Sequence, residues 1–370
     1  MSKTNFSLRP IINASGKMTA LGASAVSAEV AAAIAGASCK YVVIEELLEE
    51  ASKVIARYTG AEAGCVTCGA AAGIVISVAA SITKDNLSLI ESIPFVPDEV
   101  PQEIVMMRGH NINFGAPIGQ MVALGGGKLI EVGQSNSVSG QHLEQAITAR
   151  TAAVLYVKSH HAVQKGMLSY TEVIKTARQK GVPVIIDAAA EEDLGAYISA
   201  GADLVIYSGG KAIEGPTSGL ICGKRDLIKS CLGQYRGVGR AMKIGKENII
   251  GLLTALQRYA NLDHRDVKSK LHQRVDQLLQ ELSGIDYIQV AKMEDEAGRG
   301  IPRVEVKFSN PGLAEKVVRR LEAGTPALFT RNHYLNLGII YIDPRPLQDE
   351  ECALIPPVLK AAVEEVKNGE

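Results

Sequence analysis

The chain has 370 residues and a formal net charge of −1, so it is long enough for more than one core and offers no general electrostatic case for nucleic acid. No apolar h-region follows Met1, and no apolar run is long and uninterrupted enough to span a bilayer, which sets aside a signal peptide and a membrane anchor. The cysteines Cys39, Cys65, Cys68, Cys222, Cys231 and Cys352 include one C-x-x-C without a second pair, so they read as thiols of a cytoplasmic protein, with no metal site.

Residues 1–36 read as an N-terminal arm with an Ala-rich helix near residues 26–35. Helical spacing with a charged face follows over residues 44–58. From residue 60 to about residue 224, short apolar runs alternate with helical patterns, as in βαβ units around a mostly parallel sheet. The expected strands there are 104–107, 128–132, 153–157, 184–187, 204–207 and 220–222, and the Pro- and acid-rich stretch 86–101 reads as a mobile surface loop. Gly125-Gly126-Gly127 lacks the spacing of a dinucleotide fingerprint. Residues 247–282 read as one long connector helix, followed by strands at 287–290, 303–308 and 338–342 and helices at 312–322 and 349–367. The expectation is an α/β protein with an arm (1–36), a large domain (37–246), and a connector with a small α+β domain (247–370).

Three motifs carry chemistry. The run 202–211 ends an apolar strand in Ser208-Gly209-Gly210-Lys211, placing a primary amine on a tight turn beside a core sheet. Desolvation there can turn a lysine into a nucleophile that forms Schiff bases with carbonyls, that of pyridoxal phosphate included; the bland alternative is a surface lysine. One βα unit upstream, Val184-Ile185-Ile186-Asp187 reads as a fully buried strand with an acid at its carboxyl end. That acid either keeps a pyridinium nitrogen protonated or caps the next helix. Thirdly, the small residues Thr67-Cys68-Gly69-Ala70 open an apolar helix whose free N–H groups suit a phosphate; a tightly packed Ala/Gly helix is the alternative.

Taken in order, these pieces resemble the large domain of fold-type-I pyridoxal-phosphate enzymes, and most specifically the selenocysteine synthase (L-seryl-tRNA selenium transferase) family. Residues 9–16 (RPIINASG), 107–110 (MRGH), 129–133 (LIEVG), 208–216 (SGGKAIEGP), 240–243 (RAMK), 326–331 (PALFTR) and 342–347 (IDPRPL) match that family's motifs in order over nearly the whole chain. The chain departs from the selenium transferase pattern at Gly210, where the family has Asp, and at Thr67-Cys68-Gly69, where it has an Asn-rich helix start. Only eight residues precede Arg9, so the tRNA-binding region that comes first in the selenium transferases is not expected. The resemblance therefore implies a relative acting on a phosphorylated amino sugar acid: an ammonia lyase converting D-glucosaminate 6-phosphate to 2-keto-3-deoxygluconate 6-phosphate. Other chemistries of the family (aldolase, racemase, selenium transfer) and a non-catalytic scaffold stay open, although a scaffold needs neither Asp187 nor Lys211.

The resemblance implies roles residue by residue. Lys211 and Asp187 hold and activate pyridoxal phosphate. Cys68, Gly69, Ala70 and Ser208 bind its phosphate, His110 stacks on its ring or caps a helix, and Ser159, His160 or His161 contacts its hydroxyl or moves a proton. If His160 and His161 lie in a strand they point to opposite sides, and only one can act. Arg240 and Lys243, near Arg236 and Lys246, form an anion site or a solvated basic loop; Arg331 and Arg345 bind a carboxylate or make structural ion pairs. A homodimer or larger homo-oligomer is expected.

Overall fold

The computed structural model describes residues 8–295 and 298–369. Its strands are β1 (Ile11–Ala14), β2 (Ala63–Thr67), β3 (Glu103–Met107), β4 (Lys128–Val132), β5 (Thr151–Val157), β6 (Val184–Asp187), β7 (Leu204–Ser208), β8 (Gly219–Gly223), β9 (Ile288–Glu294), β10 (Pro302–Phe308), β11 (Ala327–Thr330) and β12 (Ile339–Ile342). Its helices are α1 (Ala28–Ser38), α2 (Ile44–Thr59), α3 (Ala70–Thr83), α4 (Leu87–Ser92), α5 (Ile118–Leu124), α6 (Gly140–Ala146), α7 (Tyr170–Gln179), α8 (Ala196–Ser199), α9 (Arg225–Gly233), α10 (Lys246–Ala260), α11 (His264–Leu282), α12 (Pro311–Ala323) and α13 (Asp349–Asn368). They form two compact units, residues 26–261 and residues 1–25 with 262–370.

In the unit 26–261 a seven-stranded sheet runs β2-β8-β7-β6-β5-β3-β4. All its neighbours pair in parallel except β8, which is antiparallel to both β2 and β7. Every residue of β5 and β6 is buried, which is why these segments read as continuous apolar runs. Helix α3 is buried from Ala72 to Thr83, and burying Ile74, Val75, Ile76 and Val78 stabilises by about 1.5–3 kcal/mol apiece. Gly73 permits this close packing, because a Cβ there would lie 2.6 Å from Ile206 on β7. Because β2 and β3–β7 run the same way, their carboxyl ends share one rim of the sheet, where open α/β sheets place ligands.

The other unit is built on a three-stranded antiparallel sheet, β12-β10-β9, with α11, α12 and α13. Its core includes Val275, Val304, Val317, Ile340 and Ile355. The first strand of the chain, β1, pairs in parallel with β11, and the Asp343 N–H donates to the Ala14 carbonyl at 2.8 Å.

Two expectations about elements are corrected. Residues 86–101 are not a loop throughout: Asn86 caps α4 by accepting the Leu89 N–H at 3.2 Å, and Ile90 and Ile93 are buried. The long helix expected over 247–282 is two helices, α10 and α11, separated at residues 261–263, where Asp263 accepts the N–H groups of Arg265 and Asp266 at 2.9 and 3.3 Å. Strands β2 and β11 fall where the periodicity predicts no strand. Among the described residues no helix is long and apolar enough to cross a membrane.

Candidate active site

Asp187 ends β6 in register with Val157 of β5 and Ile206 of β7. It is 8% exposed, and one carboxylate oxygen accepts the Ala189 N–H at 3.1 Å. Burial pushes its pKa up from 3.8 to about 6, and the nearby Glu191 adds to this; the Lys211 ammonium and the Ala189 N–H oppose the rise. Lys211, half-buried, stands on the turn that follows β7, one strand over. That turn is fixed by backbone hydrogen bonds: the Gly209 N–H donates to the Ser218 carbonyl at 2.9 Å and the Gly215 N–H to the Gly209 carbonyl at 2.7 Å. The acid and the amine predicted from the sequence are therefore neighbours on the carboxyl rim, close enough for the lysine's charge to act on the carboxylate.

On the same rim β2 turns into α3. The first α3 hydrogen bond is donated by Gly73 to the Gly69 carbonyl at 3.0 Å, so the N–H groups of Ala70, Ala71 and Ala72 have no helical acceptor. Thr67 Oγ1 donates to the Gly69 carbonyl at 2.8 Å and steadies the turn. Gly219, which opens β8, must be small, since a Cβ there would sit 2.6 Å from the Gly69 carbonyl carbon and 2.9 Å from the Ala70 nitrogen. At Gly69 itself a Cβ would meet nothing within 4 Å, so the approach to the helix N-terminus is open. Cys68, Gly69 and Ala70 are partly exposed there, and Ser208 is half-buried at the end of β7, its N–H donating to Ala189 at 3.1 Å.

His110 differs from expectation. It is fully buried, its Nδ1 accepts the Val157 N–H at 3.2 Å, and it packs edge-on to Tyr156 with ring centroids 4.7 Å apart. Burial, helped by the charge of Lys158, pushes its pKa down to about 4, so it is a neutral imidazole. A ring that stacks on a cofactor needs an open face. This one instead joins the turn after β3 to β5.

His160 and His161 lie in the loop beyond β5, not in the strand, so strand alternation does not apply. Their rings are 3.8 Å apart and tilted by 43°, on one side of the chain. Ser159 Oγ accepts the His161 N–H at 3.2 Å, and Gln164 Nε2 donates to the Ser159 carbonyl at 3.2 Å. Two further groups were not singled out from the sequence. Lys158 donates its N–H to the Asp187 carbonyl at 2.8 Å and its Nζ to Gln164 at 3.1 Å; a cation between the strand and Ser-His-His was the available signal. Glu191 accepts the Tyr197 hydroxyl at 3.0 Å, and an acid four residues beyond Asp187 was its signal.

Arg240 and Lys243 are exposed on and just after the 3-10 turn Val238–Met242 and make no ion pair among the described residues. Arg331 and Arg345 belong to the other unit. There Arg345 binds Asp343 in a fork, at 2.9 and 2.7 Å, and Arg303 binds the same carboxylate at 3.1 Å. Both arginines hold the Asp343 carboxyl well below the usual range, against the effect of its burial. Arg345 is thus committed to a structural ion pair. Arg331 is 7% exposed and has no carboxylate partner among the described residues; burial and the neighbouring Arg303 push its pKa down to about 10.

A family model described as L-seryl-tRNA selenium transferase matches residues 11–292. The chain is 43% identical to a D-glucosaminate-6-phosphate ammonia lyase of Salmonella typhimurium over 96% of each chain. It is 38% identical to a 5'-C-glycyluridine monooxygenase-decarboxylase of Streptomyces over 92% of this chain and 86% of that one. Among solved structures, that of a D-glucosaminate-6-phosphate ammonia-lyase superposes with a TM-score of 0.87 at 43% identity, covering 97% of this chain and 96% of the other. A Sphingomonas wittichii serine palmitoyltransferase, at 13% identity and a TM-score of 0.63 over 96% of this chain and 88% of that one, shares the fold. The fold is that of fold-type-I pyridoxal-phosphate enzymes.

Proposed function

We infer the reaction from one premise: the chain belongs to the L-seryl-tRNA selenium transferase family, and its likeness to D-glucosaminate-6-phosphate ammonia lyase runs nearly end to end. The protein is a pyridoxal-phosphate-dependent carbon–nitrogen lyase that converts D-glucosaminate 6-phosphate to 2-keto-3-deoxygluconate 6-phosphate and ammonia. The observation that carries this reading is the buried Asp187 one strand from Lys211, at the rim where the open N-terminus of α3 also ends.

The residues fit pyridoxal phosphate. Three N–H groups without helical acceptors and open space before Gly69 suit its phosphate, with the Ser208 hydroxyl as a further donor. Asp187 suits the ring nitrogen and Lys211 the aldehyde. When bound, the cofactor supplies an electron sink for the charge left at C2 of the substrate. Lys211 Nζ, which would hold the cofactor's aldehyde, would also take the C2 proton. Asp187 keeps the ring nitrogen protonated. His160 or His161 gives a proton to the C3 hydroxyl, which leaves as water; the enamine so formed takes a proton at C3 and becomes an imine, which a second water hydrolyses, so ammonia is the net loss. Arg240 and Lys243 supply cations for the substrate's phosphate. We also propose a homodimer or larger homo-oligomer, supported by the exposed apolar run Tyr41-Val42-Val43-Ile44; sedimentation equilibrium tests it.

The test is the absorbance of the purified protein before and after D-glucosaminate 6-phosphate, with ammonia and oxygen followed together. A yellow protein whose spectrum shifts while ammonia appears without oxygen uptake is expected. A protein that stays colourless after incubation with pyridoxal phosphate would refute the cofactor. A yellow protein that releases no ammonia would refute the substrate.

A further inference from the structure

We propose that the chain carries a second ligand site, for a small phosphorylated sugar acid, at the opposite end of the central sheet from Lys211. A cleft of about 440 Å³ opens where β5 and β6 begin, α3 and α7 end and α9 starts. Small-molecule sites typically enclose roughly 300–1,000 Å³. All of its lining residues lie in the unit 26–261. The cofactor-site candidates Asp187 and Ser159 stand at the other end of β6 and just beyond the other end of β5, so the cleft is not an extension of that site.

Three cations line the cleft: Lys84, Arg178 and Lys224. Lys224 is paired with Asp203 at 2.6 Å, and the other Asp203 oxygen accepts the Val184 N–H at 2.8 Å. That carboxylate is therefore committed. Lys84 and Arg178 meet no carboxylate among the described residues. Arg178 is laid across the cleft by Gly201: its guanidinium donates to the Gly201 carbonyl at 3.3 Å, and a Cβ on Gly201 would fall 2.1 Å from Nη2. The rest of its N–H fork remains available to an anion. Lys84 holds a φ of +47°, where glycine would be free of strain, so a cation is kept at the mouth against the local backbone preference.

The chemistry of the occupant follows from these groups. Two cations without carboxylate partners match two anionic groups on one molecule, as in a sugar acid that carries both a phosphate and a carboxylate. Asp226, also on the wall, is an acceptor for hydroxyls and disfavours a bare anion. The proposal stands on this cleft alone and not on the reaction assigned at Lys211.

6-Phosphogluconate is a suitable ligand, because it has a hydroxyl where an amine would be needed for reaction with the cofactor. Titrated calorimetrically into the cofactor-loaded protein, it should bind, and Lys84→Gln with Arg178→Gln should weaken that binding at least about tenfold. In the same variants kcat/KM for ammonia release should stay within about twofold. Inorganic phosphate should bind at least about tenfold more weakly, because it leaves the second cation unpaired. Hydrogen exchange locates the ligand without any substitution: protection at residues 81–84, 178–183 and 224–227 is expected. Protection confined to residues 66–72 and 158–164, binding unchanged by both substitutions, or phosphate binding as tight as that of the sugar acid would each overturn the proposal.

Discussion

Asp187→Asn should make the cofactor-free protein more stable above pH 6, although it removes the carboxylate proposed to face the cofactor's ring nitrogen. In the folded chain the Asp187 carboxyl has a pKa of about 6 against a reference value of 3.8. At about 1.4 kcal/mol per tenfold change in proton affinity, ionising it inside the fold costs about 3 kcal/mol. The folded state binds the proton more tightly than the unfolded one, so below pH 3.8 both states are protonated and no penalty exists. The penalty grows as pH rises through the window from 3.8 to 6 and is complete above it. Asparagine cannot ionise and can still accept the Ala189 N–H through its carbonyl oxygen, so the variant should escape most of this cost. Urea unfolding of apo wild type and variant at pH 4, 6 and 8 measures it. The stability difference should favour the variant increasingly with pH, by up to about 3 kcal/mol at pH 8. A difference that does not change with pH would show that Asp187 is not buried at the cost of its charge. Bound cofactor should reverse the order, since a protonated ring nitrogen gives the carboxylate a partner that an amide does not replace.

Lys211→Ala should lower ammonia release at least about a thousandfold and abolish the lysine-dependent yellow absorbance; turnover near the wild-type rate would disprove its role. His110→Ala should cost about 2–4 kcal/mol, from a cavity beside Tyr156 and an orphaned Val157 N–H, measurable as a lower urea midpoint. If the midpoint is unchanged and only cofactor affinity falls, the ring-stacking role holds and the packing account fails. Asp343→Asn should cost about 3 kcal/mol, because it takes the carboxylate from partly buried Arg345 and leaves buried Arg303 with Asp295 alone. Calorimetric melting with no downward shift would contradict that.

The central sheet was legible because its parallel strands are buried on both faces and so appear as unbroken apolar runs; β4 and β6 fall at the residues expected from the sequence. β2 was not, because its residues Ala63–Thr67 are small and looked like the start of the helix that follows them. The division between α10 and α11 left only a local trace, Asn261 and Asp263, inside an otherwise continuous helical pattern.

Local chemistry alone determined that the chain would offer an acid and an amine at consecutive strand ends, since a strand's direction and a turn's residues are short-range properties. Distinguishing the histidines and arginines required tertiary structure. Arg331 and Arg345 are alike in sequence, both basic residues near strand ends in the C-terminal segment. Arg345 pairs locally with Asp343, two positions away, but only the fold adds Arg303 to the same carboxylate and leaves Arg331 buried without one. Likewise His110 could be read as a ring-stacking residue until packing showed Tyr156 against it and Val157 bound to its Nδ1. What a side chain can do depends on the groups that reach it; for His110 and Asp343 these include residues 47 and 40 positions away, whose arrival periodicity and spacing do not record.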